Sequence, residues 1–547
     1  MNKYIITTAL AAALAAGTAS AQSFIDGYNL SQSEMRGTAR FMSMGGAFTA
    51  LGGDLSTLTQ NPAGLGIYRS SEVGVTLDIS ARNFSTTTAS HAASTSQTKA
   101  YCNNFGYVGS TRLKGTLKGI SWGVSYNRAM SFDRVYSGYQ MPTSTSLSNY
   151  IAYLTQGTPA QALEFGELSG KGSDYDPYWD SYNNDGVYNS WLSVLGYSSW
   201  LINPTALDNT KYAGLHKNGT TGDALFEVRE RGYIDEYNID LGGNILNTVY
   251  WGLGVGINDL SFTRDALYSE SMENVEFPGA GAGKTVDAGF DLNNHQYVTG
   301  TGYNFKFGVI VKPINQLRFG AAIHTPTYYS LTKSTSGTID YSYSDGGTDD
   351  PLTGHEYTDV CPYDWRLRSP WRFMLGVAGV LGNKAIISLD YERQAYNDMK
   401  IKVAAYGNWG DNFVEDTYLT ENVHNYLQAS NIVRIGVEYR VTPQFSLRAG
   451  YNYATTNVSD AAEGKDIPAV LSGDVNTDPA YTLNKDTQHI SVGLGYRYKG
   501  FYVDGAYVYK RREATYHAFT DFDNQKAPTA TLAENIHSAV ISVGYKF

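Results

Sequence analysis

From Glu72 to the last residue, alternate positions are apolar in runs of about ten, the spacing a strand needs when one face meets lipid and the other a wet lumen. Residues 490–499 carry the pattern most fully. Ile490, Val492, Leu494, Tyr496 and Tyr498 share one face, while Ser491, Gly493, Gly495, Arg497 and Lys499 share the other. Val433, Ile435, Val437 and Tyr439 stand in the same way against Arg434, Gly436, Glu438 and Arg440. So do Tyr303, Phe305, Phe307, Val309 and Val311 against Asn304, Lys306, Gly308 and Lys312, with Ile310 out of step. Reading every such run predicts strands near 72–84, 99–113, 119–139, 224–245, 248–270, 295–312, 317–336, 365–381, 384–400, 428–441, 444–457, 486–499, 501–515 and 535–547. These are about 14 strands, and bacterial single-chain barrels have even strand numbers.

The connections point the same way. Lys114 to Lys118, Leu246-Asn247, Pro313 to Gln316, Gly382-Asn383, Thr442-Pro443 and Gly500 are tight turns, and long polar loops separate them in strict alternation. Short periplasmic turns and longer outer loops are the topology of an outer-membrane barrel. The expected fold is therefore all-β, an antiparallel transmembrane β-barrel over 72–547, with one large extracellular loop at 140–223. The last strand ends on Phe547, a terminal aromatic of the kind that barrel-assembly machinery reads. That machinery and outer-membrane lipid are thus expected partners.

Lys3, the apolar run Ile5 to Ala16 and the small residues Ala19-Ser20-Ala21 compose a secretory signal peptide over 1–21. The mature chain should begin at Gln22, and with no Cys there, lipid anchoring of that end is not expected. No later apolar run approaches the roughly 20 residues of a spanning helix. Of 547 residues, 44 are Tyr, 57 Gly and 15 Pro, a β-rich composition, and the net charge of −11 argues against a nucleic-acid partner. Cys102 and Cys361, far apart and without C-x-x-C spacing, indicate neither a disulfide framework nor zinc, and whether they pair stays open.

Between the cleavage site and the first strand lie about 50 residues without alternation, too long for a mere leader into a barrel. They contain Ser43-Met44-Gly45-Gly46-Ala47-Phe48-Thr49-Ala50 and then Asn61-Pro62-Ala63. With the strands that follow, these two motifs resemble the FadL/TodX type of outer-membrane transport protein for long-chain fatty acids and aromatic hydrocarbons. In motif the likeness covers about 30 residues. It implies that 22–71 folds as a hatch inside the lumen, with Asn61, Pro62, Ala63, Gly45 and Gly46 as gating residues. It further implies passive uptake of a hydrophobic small molecule, through a loop capture groove and then a hatch-gated pocket. A barrel of this size independently needs internal filling to be selective. Phe41, Met42, Met44 and Phe48 could line an apolar pocket or simply pack the hatch.

The loop 140–223 carries an unusual aromatic load, including Tyr175, Tyr178, Trp179, Trp191 and Trp200. Amphipathic stretches at Leu147–Leu154 and Trp191–Ile202 suggest a helical lid, whose Trp191, Leu192 and Leu195 either meet ligand or form the lid's own core. Asp174, Asp176, Asp180 and Asp185 lack EF-hand spacing and are expected to be solvated carboxylates. No metal site, catalytic residue or cofactor is expected. Three other readings stay open: a haem receptor, although the nine His are scattered singly; a barrel enzyme; and a structural or adhesive barrel. The single G-x-S-x-G match, Gly119 to Gly123, lies within an alternating strand rather than at a nucleophile turn. The lumen-facing Arg318, Arg372, Arg434, Arg440, Arg448, Arg497 and Lys499 are expected to pair with Asp390, Glu392, Glu438 and Asp504 across strands. Thr325-Pro326 is a candidate strand irregularity, since Pro removes a ladder donor.

Overall fold

The computed structural model describes residues 23–180, 189–205, 208–277, 285–344, 351–382, 384–404, 412–462, 467 and 475–547. The expected signal peptide, together with Gln22 and Asp185, lies outside the described residues.

Alternation becomes a closed sheet because each strand has a lipid face and a lumen face, and closure leaves no unpaired edge in hydrocarbon. The strands are β1 (Glu72–Thr87), β2 (Ala92–Arg112), β3 (Leu117–Ser131, resumed as Arg134–Pro142), β4 (Thr221–Ile245), β5 (Val249–Glu276), β6 (Thr285–Ile314) and β7 (Leu317–His324, resumed as Tyr328–Ser344). They continue as β8 (Leu352–Tyr357, Cys361–Arg368 and Arg372–Leu381), β9 (Ala385–Gln394 and Lys400–Ala404), β10 (Ser430–Arg440), β11 (Phe445–Ala454), β12 (Tyr481–Tyr498), β13 (Phe501–His517) and β14 (Thr529–Lys546). Each pairs antiparallel with the next, and β14 pairs back on β1 from Glu72↔Lys546 to Thr87↔Thr531. The chain is thus a closed 14-strand antiparallel barrel, as the alternation requires.

The outward apolar residues form a belt. Leu77, Ile79, Trp122, Ile239, Leu253, Phe305, Leu375, Ile435, Leu494 and Ile541 are all exposed, as lipid-facing side chains must be. Tyr237, Tyr303, Tyr328 and Tyr391 rim it on one side, with Tyr439, Tyr496, Tyr498, Phe501, Tyr545 and Phe547 on the other, an aromatic girdle at each interface. The tight turn expected at Leu246-Asn247 forms there, while Asn383 of the Gly382-Asn383 turn lies outside the described residues. At Leu246-Asn247 both central residues take positive φ, 53° and 57°, so the turn twists with its strands.

One feature differs from expectation and one, the irregularity at Thr325-Pro326, agrees with it. Strands β5 to β7 run well past their predicted outer ends, because there their outward faces are polar (Ser271 and Glu273 on β5; Asp287, Asp291 and Asn293 on β6) and the apolar alternation is lost. And β7 is broken at residues 325–327, where Pro326 removes a ladder donor; β8 and β9 are interrupted alongside, between Arg368 and Arg372 and between Gln394 and Lys400.

Candidate functional site

The N-terminal segment lies inside the barrel. It begins with α1 (Phe24–Leu30), where the Ser23 backbone N–H donates to Asp26 Oδ2 at 3.0 Å. Phe24, Ile25, Tyr28 and Leu30 are buried among Leu260, Phe262, Trp365, Leu367 and Ile401 of the wall. Lys333 on β7 holds Asp26 at 2.9 Å, and α6 (Thr417–Tyr426) closes over the same cluster, with Tyr426 stacked on Phe24. Below it follow α2 (Ala39–Ser43), α3 (Thr57–Gln60) and a short 3₁₀ turn, Pro62–Ile67, that leads into β1.

The wall is shaped for this segment. A Cβ at Gly252, Gly308, Gly320, Gly376, Gly436, Gly450 or Gly493 would strike Pro62, Asn61, Thr49, Thr49, Met44, Gly45 and Ser43 respectively. These glycines occupy lumen-facing positions on β5, β6, β7, β8, β10, β11 and β12, so half the strands of the wall remove a side chain to let the segment's backbone approach. Gly45 and Gly46 adopt φ of 62° and 77°, and a Cβ on Gly45 would come within 2.7 Å of the Tyr451 carbonyl oxygen, so both backbone freedom and space demand glycine there. Where the lumen face instead carries an apolar residue, the segment packs on it. Ile310, the residue out of step in its strand, is fully buried against Ala63, and Val540 meets the cluster of Ala39, Phe41 and Met42.

Asn61 ties the arrangement together. Its Nδ2 donates to the Thr49 carbonyl at 2.6 Å and its Oδ1 accepts from the Ala63 N–H at 3.1 Å, which caps the turn that begins at Pro62. Around it the Thr49 N–H donates to Asp390 at 2.7 Å, Arg318 donates to the Leu51 carbonyl at 2.8 Å, and His324 Nε2 donates to the Gln60 carbonyl at 2.9 Å. No bond here is part of a β ladder. Up to Tyr68 every described hydrogen bond from segment to wall uses a side chain; only at Ser71 does the backbone pair, with Phe547.

Three charged residues complete the attachment. Arg40 meets Glu438 at 2.8 Å, and Arg36 lies 3.7 Å from Asp78. Glu34 stands among Arg36 at 2.7 Å, Lys510 at 3.2 Å and Arg82 at 3.9 Å. Burial raises the pKa of the Glu34 carboxyl, but these cations outweigh it and hold the group well below the usual carboxylate range. In the wall, Glu392 binds both Arg372 and Arg434, and Arg448 joins Glu438 to Asp504. Of the expected cross-strand pairs those of Arg372, Arg434 and Arg448 thus form, whereas Arg318 takes the Leu51 carbonyl instead and Arg440, Arg497 and Lys499 make no ion pair among the described residues. Asp390 accepts from Thr49, not from an arginine, because Gly376 and Gly320 leave the segment's backbone space to reach it.

Two cavities of about 160 and 90 Å³ open between segment and wall and share Glu34, Met35, Arg372, Gln394 and Arg434 in their linings. Phe41 is the one residue of the expected apolar set that lines the larger. Met42, Met44 and Phe48 pack instead into the segment's contact with the wall. In the outer loop, α4 (Leu147–Thr155) and α5 (Trp191–Ser198) form the lid, with Trp191, Leu192 and Leu195 at 1% exposure or less in its apolar core, together with Phe226, Tyr516 and Phe519 of β4 and the β13 end. Gly119 to Gly123 sits mid-strand in β3, paired on both sides. Cys102 is a free thiol, so the two cysteines do not pair. Among the described residues no group of three His, Cys, Asp or Glu is placed to hold a metal ion.

Residues 393–501 match the OmpA-like transmembrane domain family. By structure the chain is similar to a FadL homologue of Pseudomonas aeruginosa, with TM-score 0.52 and 13% identity over 94% of this chain and 99% of that one. It also aligns with the Pseudomonas putida toluene transporter TodX, with TM-score 0.46 and 14% identity over 94% of this chain and 99% of that one. No curated protein sequence matches it. The first likeness concerns the fold: a barrel of this architecture, with this apolar belt, is an outer-membrane protein.

Sequence reasoning missed α1 and the charged residues Glu34, Arg36 and Arg40. For α1 a signal was present, since Ser23-Phe24-Ile25-Asp26 has the S-x-x-D form of a helix start. For the charges there was none, because their partners lie up to 476 residues away.

Proposed function

We propose that the chain is a channel for passive uptake of hydrophobic small molecules across the outer membrane, with residues 22–71 acting as its hatch. The observation that carries this reading is the seating of the segment. It fills the lumen, yet it rests on glycines and is tied by side chains, so it can shift without breaking the barrel's ladders. Asn61, Pro62 and Ala63 form its anchor to β5 and β6, while Gly45 and Gly46 bring its backbone onto β10 and β11. Phe41, Met42, Met44 and Phe48 supply the apolar hatch surface that a ligand meets once the hatch moves. Trp191, Leu192 and Leu195 do the same in the lid. Transfer of apolar surface out of water drives each step, at about 0.8 kcal/mol per buried CH₂. The solved relatives of this fold include the FadL homologue and the toluene transporter named above, which supports a hydrophobic cargo.

The test is to extract the purified protein with organic solvent and identify bound small molecules by mass spectrometry, with an unrelated barrel as control. Acyl chains or hydrocarbons enriched over the control, and lost after Phe48→Ala, are the expected result. Enriched haem would replace this reading with a receptor, and no enrichment would remove the support for a hydrophobic cargo.

A further inference from the structure

The polar chamber between segment and wall is far more basic than the chain around it. The smaller cavity is lined by Arg372, Arg434, Lys485, Lys510 and Arg512, with Glu34 the only carboxylate, although the whole chain carries a net charge of −11. Two wall carboxylates behind the lining offset part of this. Glu392 binds Arg372 and Arg434, and Glu534 lies 3.4 Å from Lys510 and 2.8 Å from Arg512. Five cations still face three carboxylates. Arg434, 7% exposed, lines both cavities and uses only Nη2 on Glu392; its Nε and Nη1 have no hydrogen-bond partner. Arg82, at 1% exposure, likewise leaves Nε and Nη2 without one, and meets Glu34 only at 3.9 Å. Buried guanidinium N–H groups without acceptors are costly and uncommon.

Glu34 is the one carboxylate in this chamber contributed by the segment rather than by the wall. Its carboxylate lies against Arg36 and Lys510, with Arg82 farther off at 3.9 Å, and so occupies the place an oxyanion would take. We infer that the chamber is a binding site for an oxyanion, a carboxylate or phosphate group, and that Glu34 is a tethered stand-in that such a group displaces. Displacement costs the segment its tie to Lys510 and gains the anion the unmet N–H groups of Arg434, which lines both cavities, so binding and loosening of the segment are coupled. The inference rests on the hatch reading for its consequence, but the binding site stands independently of it.

The same oxyanion could arrive as a small free solute or as the head of an amphiphile, and calorimetry separates the two. Full-length protein in maltoside detergent is titrated with succinate, inorganic phosphate, octanoate and, as a neutral control, octanol. Expected is saturable binding of at least one anion, about tenfold tighter in Glu34→Gln, where the internal competitor is gone, and at least tenfold weaker in Arg434→Gln. Binding of succinate or phosphate would identify a free solute, and octanoate alone an amphiphile. Octanol binding as well as octanoate, with no effect of Glu34→Gln, would overturn the inference, as would no anion binding in either wild type or Glu34→Gln. Heat-modifiable migration on gels verifies that each variant barrel is folded, and Lys510→Gln serves if Arg434→Gln is not. Because only binding is read, a failed inference leaves the uptake reading untouched, and absence of hydrophobic cargo leaves this one untouched.

Discussion

Replacing Asn61 by Ala should release the N-terminal segment while leaving the barrel closed. Asn61 is fully buried, and its amide serves two backbone groups, the Thr49 carbonyl at 2.6 Å and the Ala63 N–H at 3.1 Å. Alanine leaves both without a partner. Each buried backbone group so orphaned costs about 1–3 kcal/mol, and relaxation of the segment against Gly308 recovers part of that, so about 2–4 kcal/mol is expected. At about 1.4 kcal/mol per decade, the opening equilibrium of the segment rises roughly 30- to 700-fold. The barrel ladders do not use Asn61, so the change should be local. Hydrogen exchange read by mass spectrometry separates the two regions. Peptides from 45–66 should exchange faster by that factor, while peptides from β13 and β14 keep the wild-type rate. Unchanged exchange at 45–66, or equal acceleration in β14, would refute the argument that side-chain bonds seat the segment.

Gly252→Val places a branched side chain against the Pro62 backbone, so the segment cannot seat; ion conductance in planar bilayers should rise above wild type while the barrel stays heat-modifiable. Arg40→Gln removes one of the two cations on Glu438 but leaves Arg448 at 2.7 Å, so it should loosen the segment by about 1–3 kcal/mol, less than the 3–5 typical of a carboxylate stranded alone. Limited proteolysis within 31–43 would detect it, and no change in cleavage would count against the Arg40 tie. Phe547 has a side chain 59% exposed, so Phe547→Ala should cut the yield of assembled barrel in cells several-fold while barely altering the melting temperature of what does assemble; equal yields would deny the terminal aromatic its assembly role.

How much of this was legible in the sequence follows from which forces act locally. Strand number, face and turn position follow from a period-two pattern that each strand carries within itself, as at 490–499, and β12 matches it. The outer extensions escaped because beyond the lipid a strand no longer needs an apolar outer face, so residues such as Asp287, Asp291 and Asn293 looked like loop. The site was visible only as anomalies. Ile310 broke its strand's alternation because Ala63 packs on it, and the lumen-face glycines read as generic small residues when each marks a contact with one atom of the segment. The Glu34 chamber could not be read at all, since Lys510, Arg82 and Arg434 come together only when the sheet closes.

The outward extensions set where a molecule first meets the protein. On β6 the apolar belt ends near Tyr303, and the strand continues from Thr301 to Thr285, which at the usual rise and tilt lifts its tip roughly 40 Å above the hydrocarbon. The lid helices are carried on that tower, packed on Ala288, Phe290 and Leu292 of its inner face. On the uptake reading proposed above, an incoming molecule would meet the protein there, away from the bilayer surface.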